Sequence, residues 1–262
     1  MDRRQLWRHV RRAWVALGFG ATIVFVGWSL MAYRASAAAH DAARPDAAVD
    51  IRRTDGIRSF LPPAPPATNM PAFIFFPGAL VDPVAYAPLL RAAAVAGFPA
   101  YIIELPRRGA FGGADGPVPG QRLDRLLAQM TQRRWLVAGH SRGAVVASQV
   151  AAEQRPGFAG LVLIGTSHPR DVDLSGVAVP VTKVVGTHDG LASPAEVYAN
   201  RPLLPAATNW VWIEGGNHSQ FASYGFQPGD RRATIAAATQ RAEMIRAVLG
   251  ALSNVAAGAP GS

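Results

Sequence analysis

The feature that most constrains the fold is a short apolar run that ends in a serine flanked by glycines. Residues 135–138 are apolar, Gly139 to Gly143 read Gly-His-Ser-Arg-Gly, and helix-forming residues follow. This order is typical of a strand, a sharp turn and a helix. Glycines two positions either side of the serine leave room where the strand and helix backbones approach closely. We therefore predict that Ser141 lies on a strained turn. The amide of Arg142, at the helix N-terminus, would then point at any negative oxygen that forms beside the serine.

Apolar runs of strand length recur along the chain and alternate with segments of helical composition. Helix signals include Asp82-Pro83, a capping box from Ser193 to Glu196, and a final helix over about residues 232–250. This alternation predicts an α/β fold with a mostly parallel sheet and helices on both faces. In such sheets, sites gather at the carboxyl ends of the strands. The apolar runs are residues 72–76, 101–105, 135–138, 161–164, 181–185 and 210–213.

Two polar, β-branched segments precede the first buried strand. Residues 51–53 and 57–60 flank Asp55-Gly56, a dipeptide that favours a tight hairpin turn. We predict an antiparallel pair at the edge of the sheet. The proline-rich segment 62–66 that follows is expected to be a stiff connector.

A serine hydroxyl becomes an effective nucleophile only when a base removes its proton, and that base needs an orienting carboxylate. In strand–turn–helix serine sites the chain order is serine, then aspartate or glutamate, then histidine. His218 follows the last strand in a Gly-Gly-Asn-His sequence, and Asp189 follows strand 181–185 between two glycines. We predict a catalytic triad of Ser141, Asp189 and His218. The alternative is a glycine-rich turn with an inert serine.

Other acids and histidines fit less well. Asp171 or Asp173 is the second choice for the carboxylate, and Asp230 comes after His218, which breaks the order. His168 has no strand-end carboxylate between it and the serine. His140, at the variable position of the motif, is expected to point away from Ser141.

The oxyanion that forms during acyl transfer needs two backbone donors. One is the N–H of Arg142, and the other is expected from Ala79, after strand 72–76, with Leu80 as the second choice. Glu214 and His218 have the spacing of a metal pair, but two glycines between them disfavour a helix. We expect no metal site and no cofactor.

The N-terminal region contains an uncharged run, residues 13–33, bounded by arginines. At about 1.5 Å per residue this run spans roughly 31 Å, enough for a bilayer core. Five arginines precede it, so the positive-inside rule places the N-terminus in the cytoplasm and the rest outside. A cleaved signal peptide, with small residues 35–39 at the cleavage site, is the alternative.

The resulting domain organisation has five parts. They are a cytoplasmic basic segment (1–12), a transmembrane anchor (13–33), a linker (34–49), the α/β domain (50–252) and a disordered tail (253–262). The chain has a net charge of +9 but no nucleic-acid-binding motif, so we expect a small-molecule partner and a membrane but no nucleic acid. It has no cysteine, which excludes thiolate nucleophiles and disulfides.

The motifs at the ends of four strands resemble the α/β-hydrolase superfamily. The resemblance is closest to its compact, dienelactone-hydrolase-like serine members, sometimes grouped as family five of that fold. It covers about residues 70–250 and is carried by residues 76–79, 139–143, 186–190 and 215–218. Pro77 departs from the histidine that many members have before the oxyanion-loop glycine. Ser141 departs from the cysteine of dienelactone hydrolases proper.

The resemblance implies a serine hydrolase that acts on carboxylic esters through an acyl-enzyme, without a cofactor. An acyltransferase on the same scaffold and a non-catalytic binding module that kept the fold are the alternatives. Only about fifteen residues separate Gly165 from Pro180, so no large lid is expected, and loop 106–120 is the expected partial cover.

Overall fold

The computed structural model describes residues 2–64, 70–132 and 134–258. Pro65 and Pro66 of the predicted connector, and the last four residues of the predicted tail, lie outside the described residues.

The described residues form one eight-stranded sheet in the order β1-β2-β4-β3-β5-β6-β7-β8. β1 and β2 run antiparallel to each other, β2 runs antiparallel to β4, and the remaining neighbours are parallel. The predicted mostly parallel sheet is therefore confirmed. The strands are β1 (Asp50–Thr54), β2 (Ile57–Leu61), β3 (Ala72–Phe76), β4 (Ala100–Ile103), β5 (Trp135–His140), β6 (Phe158–Ile164), β7 (Val181–Gly186) and β8 (Asn209–Ile213).

The β1–β2 hairpin has the predicted tight turn. Asp55 and Gly56 both have positive φ angles, 51° and 75°, so the backbone twists as a two-residue hairpin requires. The register pairs Thr54 with Ile57 directly across this turn.

Helices cover both faces of the sheet, as predicted. One apolar core lies between the sheet and helices α3 and α7, and a second lies between the opposite face and helices α4 and α5. In β3, Phe73 and Phe75 face the first core, whereas Ile74 and Phe76 face the second, because side chains alternate along a strand. The helices are α1 (Arg3–Ala32), α2 (Ala37–Ala42), α3 (Ala87–Val95), α4 (Val118–Gln129), α5 (Arg142–Ala152), α6 (Pro194–Ala199) and α7 (Ala237–Ala256).

Two predicted boundaries are wrong. The final helix begins at Ala237 and continues to Ala256, so residues 253–256 are helical and not part of a disordered tail. Leu252 and Val255 are buried against the sheet, and this apolar contact extends the helix. The predicted linker 34–49 contains helix α2, and both Ala39 and Val49 are fully buried. This segment is therefore packed on the domain instead of forming a free tether.

Helix α1 is the one described helix long and apolar enough to cross a membrane by length and composition. The candidate span lies within Arg3–Trp28, where an 18-residue window has a mean hydropathy of 1.4 and is not buried by the domain. The last residues of the predicted transmembrane anchor (13–33) do not lie in a membrane-spanning segment, because Ala32 and Tyr33 are buried in the domain. Tyr33, the last residue of the predicted anchor, stacks its ring on that of Tyr224, with centroids 6.1 Å apart.

The chain that leaves α1 is hydrogen-bonded to two separate segments of the domain. The carbonyl of Ala32 accepts from the amide of Gly225 at 2.8 Å, and the carbonyl of Tyr33 accepts from the amide of Asp82 at 3.0 Å. The amide of Ser36 then donates to the carbonyl of Ser223 at 2.8 Å. We call residues 32–36 the docked segment. Backbone bonds to two segments hold it more firmly than a single contact would.

Candidate active site

Ser141 stands between β5 and α5 on the strained turn that the sequence predicted. Its φ of 53° and ψ of −119° lie outside the regions that side-chain-bearing residues favour, which typically costs about 1–3 kcal/mol. The flanking glycines are required by space. A Cβ on Gly143 would overlap the carbonyl oxygen of Phe76 in β3, and one on Gly139 would overlap that of Gly143. Close packing of strand and helix therefore maintains the turn.

His218 and Asp189 form a buried pair at the ends of β8 and β7. The Nδ1 atom of His218 lies 2.9 Å from Oδ2 and 3.2 Å from Oδ1 of Asp189. The carboxylate also accepts the amides of Leu191 at 2.8 Å and Ala192 at 2.7 Å. Because an ionised carboxylate can only accept a hydrogen bond, this geometry fits a neutral His218 with its proton on Nδ1 and its lone pair on Nε2. The structure thus brings these two predicted residues together.

Ser141 and His218 line the same cavity of about 250 Å³ at the carboxyl edge of the sheet. The Nε2 atom of His218 is buried and has no hydrogen-bond partner within residues 2–64, 70–132 and 134–258. No hydrogen bond joins it to Ser141 in this part of the chain. Catalytic hydrogen bonds often tighten only when substrate is bound. The other lining residues are Arg142, Val145, Gly165, Thr166, Ser167, His168, Arg170, Leu191 and Ala192.

Asp230 was not predicted as the triad carboxylate, because it follows His218 in the sequence. Its carboxylate accepts hydrogen bonds from the loops that carry the histidine and the aspartate. Its Oδ1 accepts the amide of Gly190 at 3.1 Å and that of His218 at 3.3 Å, and its Oδ2 accepts the amide of Ser219 at 2.8 Å. One carboxylate therefore fixes the backbone on both sides of the buried pair. Spacing could not reveal this role, because these bonds are made to backbone groups.

The two expected oxyanion donors have unoccupied amides. No hydrogen bond from the N–H of Ala79 or Arg142 is found among the described residues. The amide of Leu80, the second choice, donates to the carbonyl of Arg108 at 2.7 Å and is therefore already used. Of the two residues considered for this loop, Ala79 is the one whose amide remains available.

His140, which was expected to point away from Ser141, lies beside His218. The two rings are 4.6 Å apart between centroids. The Nδ1 atom of His140 is 2.8 Å from the hydroxyl of Tyr86, which accepts the amide of Gly78 at 2.9 Å. Burial, together with the neighbouring His218, lowers the pKa of His140 well below its usual range, so the ring is neutral. Strand alternation places His140 on the same sheet face as Ala138, but the contact with His218 depends on the order of the strands in the sheet.

Lys183, the lysine of β7, supports the loop that forms one wall of the cavity. Its side chain is 1% exposed, and its Nζ donates to the carbonyl oxygen of His168. Burial lowers the pKa of Lys183 to about 7. The sequence analysis gave this residue no role, because its apolar neighbours in the strand indicate only core packing.

The alternative acids lie away from the pair. Asp171 and Asp173 are exposed, and Asp173 accepts the amide of Ser175 at 2.9 Å as a local turn cap. His188, the histidine for which Asp171 or Asp173 would be the acid, has its Nδ1 atom 3.4 Å from the carbonyl oxygen of Arg232. Loop 106–117 borders the cavity, since Asp115 pairs with the side chain of Arg142.

No cluster of three or more metal-ligating side chains occurs in the part of the chain that the structure describes. A larger cavity of about 430 Å³ lies against the β1–β2 hairpin and α4. It contains none of the predicted site residues.

Comparison with known families gives one match. The model of a family described as "Alpha/beta hydrolase family" matches residues 72–242, which include all five predicted site residues. No curated protein matches the chain.

Solved structures with similar folds share little sequence with this chain. A membrane phospholipase A, described as a novel bacterial virulence factor, has a TM-score of 0.58 at 15% identity, covering 97% of this chain and 99% of its own. Est1E from Butyrivibrio proteoclasticus has a TM-score of 0.54 at 12% identity, covering 79% and 99%. TT1662 from Thermus thermophilus has a TM-score of 0.52 at 20% identity, covering 78% and 98%. At these identities the likeness extends to the fold alone.

Proposed function

Because the chain belongs to the alpha/beta hydrolase family, we propose that it is a serine hydrolase that cleaves carboxylic esters through an acyl-enzyme. One observation carries the proposal: the buried carboxylate of Asp189 holds Nδ1 of His218 at 2.9 Å, and the unpartnered Nε2 belongs to a ring that lines the same cavity as Ser141. An inert serine on this turn would require neither a buried ion-pair partner nor an unpartnered imidazole nitrogen.

In the proposed reaction, the Oγ atom of Ser141 attacks the ester carbonyl while its proton passes to Nε2 of His218. Asp189 keeps the imidazole in the required tautomer and stabilises its positive charge. His218 then gives the proton to the departing alcohol oxygen, which leaves an acyl group on Ser141. A water molecule, deprotonated by the same nitrogen, releases the acid and restores the serine.

The oxyanion of each tetrahedral intermediate would be held by the amides of Ala79 and Arg142. A donor of this kind typically stabilises the transition state by roughly 3–4 kcal/mol. The bond from the amide of Gly78 to the hydroxyl of Tyr86 supports this role, because it fixes the backbone immediately before Ala79. The reaction needs no metal ion or cofactor, since the proton transfers and charge stabilisation are all assigned to protein groups.

We further propose that α1 stays attached and anchors the enzyme in a membrane with the catalytic domain outside the cytoplasm. Signal cleavage within residues 35–39 would remove Ala32 and Tyr33, whose burial and backbone bonds belong to the folded domain. Retention of the segment keeps those contacts. The arginines that precede the apolar part of α1 favour a cytoplasmic N-terminus.

Labelling with a fluorophosphonate probe tests the assignment of the nucleophile. The full-length protein in detergent should label, and Ser141→Ala should abolish labelling. Ser167→Ala is the matched control, because Ser167 lines the same cavity without a proposed catalytic role and that variant should still label. Persistent labelling of Ser141→Ala would contradict the assignment, and a folded wild type that never labels would favour a binding module. Hydrolysis measured with an added alcohol distinguishes a hydrolase from an acyltransferase, because an acyltransferase would form the new ester instead of the acid.

A further inference from the structure

The docked segment ends at the edge of the sheet that carries the candidate active site. It is hydrogen-bonded to two segments of the domain, and each of these segments comes shortly after a part of that site in the sequence. Asp82 comes three residues after Ala79, and the stretch Ser223–Gly225 follows His218 by five to seven residues. A Cβ on Gly225 would lie 2.8 Å from the carbonyl oxygen of Ala32, so this approach is close. An anchor that enters here holds the carboxyl edge of the sheet next to the bilayer.

The same edge exposes large apolar side chains. Phe111, in the loop after β4, is 86% exposed, and Phe226, next to the docked segment, is 43% exposed. Leu80 follows the oxyanion loop and Leu191 lines the cavity, and each is 36% exposed. These four residues, which we call the apolar rim, come from four different loops. Exposed apolar groups gathered at one edge mark a surface that is covered in use.

Basic side chains accompany the apolar rim. Arg34, inside the docked segment, and Arg107, four residues before Phe111, are exposed, and neither has a carboxylate partner among the described residues. A surface that combines arginines with exposed apolar side chains binds the interface of an anionic membrane, because the arginines pair with headgroups and the apolar groups contact acyl chains. The charge of this edge therefore fits the surface of the membrane that α1 is proposed to enter.

We infer that the apolar rim rests in the interface of the membrane that holds α1, and that the substrate is an acyl ester of a lipid in that membrane. The ester would enter the cavity from the bilayer side, where its carbonyl meets Ser141, and hydrolysis would release a fatty acid and the remaining lysolipid or alcohol. The substrate part of this inference rests on the proposed hydrolase function, whereas the surface contact does not.

Site-specific labelling tests the contact without using activity. The chain has no cysteine, so Phe111→Cys and Phe226→Cys can each carry a single environment-sensitive nitrobenzoxadiazole dye. Val95→Cys is the control, because Val95 is 63% exposed at the end of α3, beside the opposite, amino edge of the sheet. In full-length protein reconstituted in phosphatidylcholine–phosphatidylglycerol vesicles, the dye at 111 and 226 should emit at shorter wavelength and be quenched by spin-labelled lipid. Dye at position 95 should do neither. Equal quenching at all three positions, or none at 111 and 226, would overturn the contact.

Two substrates then separate the lipid-substrate inference from the hydrolase proposal. Wild type in these vesicles should release fatty acid from the vesicle lipid and also hydrolyse added p-nitrophenyl butyrate. The double variant Phe111→Asp/Phe226→Asp should lose about tenfold in lipid hydrolysis and stay within about twofold on the soluble ester, because charges in the rim oppose interfacial contact. Val95→Asp should keep both rates.

Three further results would separate failure of the lipid substrate, of the apolar rim and of the hydrolase proposal. A wild type that cleaves the soluble ester and labels with fluorophosphonate but releases no fatty acid overturns the lipid substrate and leaves the hydrolase intact. Equal loss of lipid hydrolysis in the double variant and in Val95→Asp overturns the role of the rim. A wild type that neither labels nor cleaves either ester removes the proposed function and the lipid substrate with it, while the dye measurement still decides the surface contact.

Discussion

Replacing Lys183 by methionine should stabilise the protein near neutral pH and remove part of the pH dependence of its stability. Burial holds the pKa of Lys183 at about 7 instead of its ordinary 10.5. The folded protein therefore binds this proton less tightly than the unfolded chain does. Between about pH 7 and pH 10.5 the unfolded chain carries more protons at this site, so wild-type stability rises with pH across that window. Below about pH 7 the destabilisation is complete.

The size of the effect follows from the pKa difference. The difference of 10.5 minus about 7 is about 3.5 pH units, and one unit corresponds to 1.36 kcal/mol, so the full destabilisation is about 5 kcal/mol at most. Lys183→Met also removes the hydrogen bond to the carbonyl of His168, and an unsatisfied buried acceptor costs about 1–3 kcal/mol. The variant should thus be more stable than wild type by about 2–4 kcal/mol near pH 6. This advantage should vanish or reverse near pH 10.

The assay is urea unfolding of the full-length protein in detergent, followed by tryptophan fluorescence, at several pH values from about 6 to 10. The quantity compared is the difference in free energy of unfolding between variant and wild type, in which contributions from other titrating groups cancel. Thr182→Val, a buried neighbour without a titratable group, is the control, and its difference should not change with pH. A Lys183→Met difference that stays constant or grows between about pH 7 and 10 would refute the reasoning.

Three further predictions concern the candidate site. Asp189→Asn should keep the fold, as measured by circular dichroism. Its kcat on p-nitrophenyl butyrate should fall by about 10³–10⁴-fold, because the wrong imidazole tautomer of His218 would be favoured. A loss of less than tenfold would contradict the proposed role of Asp189. Gly143→Ala should prevent folding or abolish fluorophosphonate labelling, since its Cβ would overlap the carbonyl of Phe76, whereas Gly250→Ala, with nothing within 4 Å, should be neutral. Tyr86→Phe removes the hydroxyl that pairs with the amide of Gly78 and with His140, which should lower the free energy of unfolding by about 1–3 kcal/mol. It should also lower kcat more than it changes KM. An unchanged kcat would mean that the hydroxyl of Tyr86 has only a structural role.

The fold could be predicted from sequence because its signals are local. The turn at Ser141 needs glycines at two fixed positions, and the hairpin at Asp55 needs a dipeptide that tolerates positive φ. Both follow from sterics within a few residues. The family was recognisable for the same reason, since its motifs are short and lie at strand ends, and the match over residues 72–242 confirms it.

The features that the sequence analysis predicted wrongly or missed involve contacts between residues far apart in the sequence. Asp230 braces the site through backbone amides, which leave no trace in residue type. The contact of His140 with His218 joins the ends of β5 and β8, and only the sheet order brings these ends together. Residues 34–49 read as a linker because they are rich in alanine, yet small side chains also suit close packing, and Ala39 is fully buried.

The docked segment makes the boundary between anchor and domain unsuitable for cutting. A shortened chain that starts at residue 45 would lose the bonds that Tyr33 and Ser36 make to Asp82 and Ser223. It would also uncover the apolar surface against which Ala39 packs. We expect such a chain to express poorly or to aggregate, whereas one that begins at about residue 29 would keep these contacts. Biochemical work on a water-soluble form should therefore shorten α1 and leave the docked segment in place.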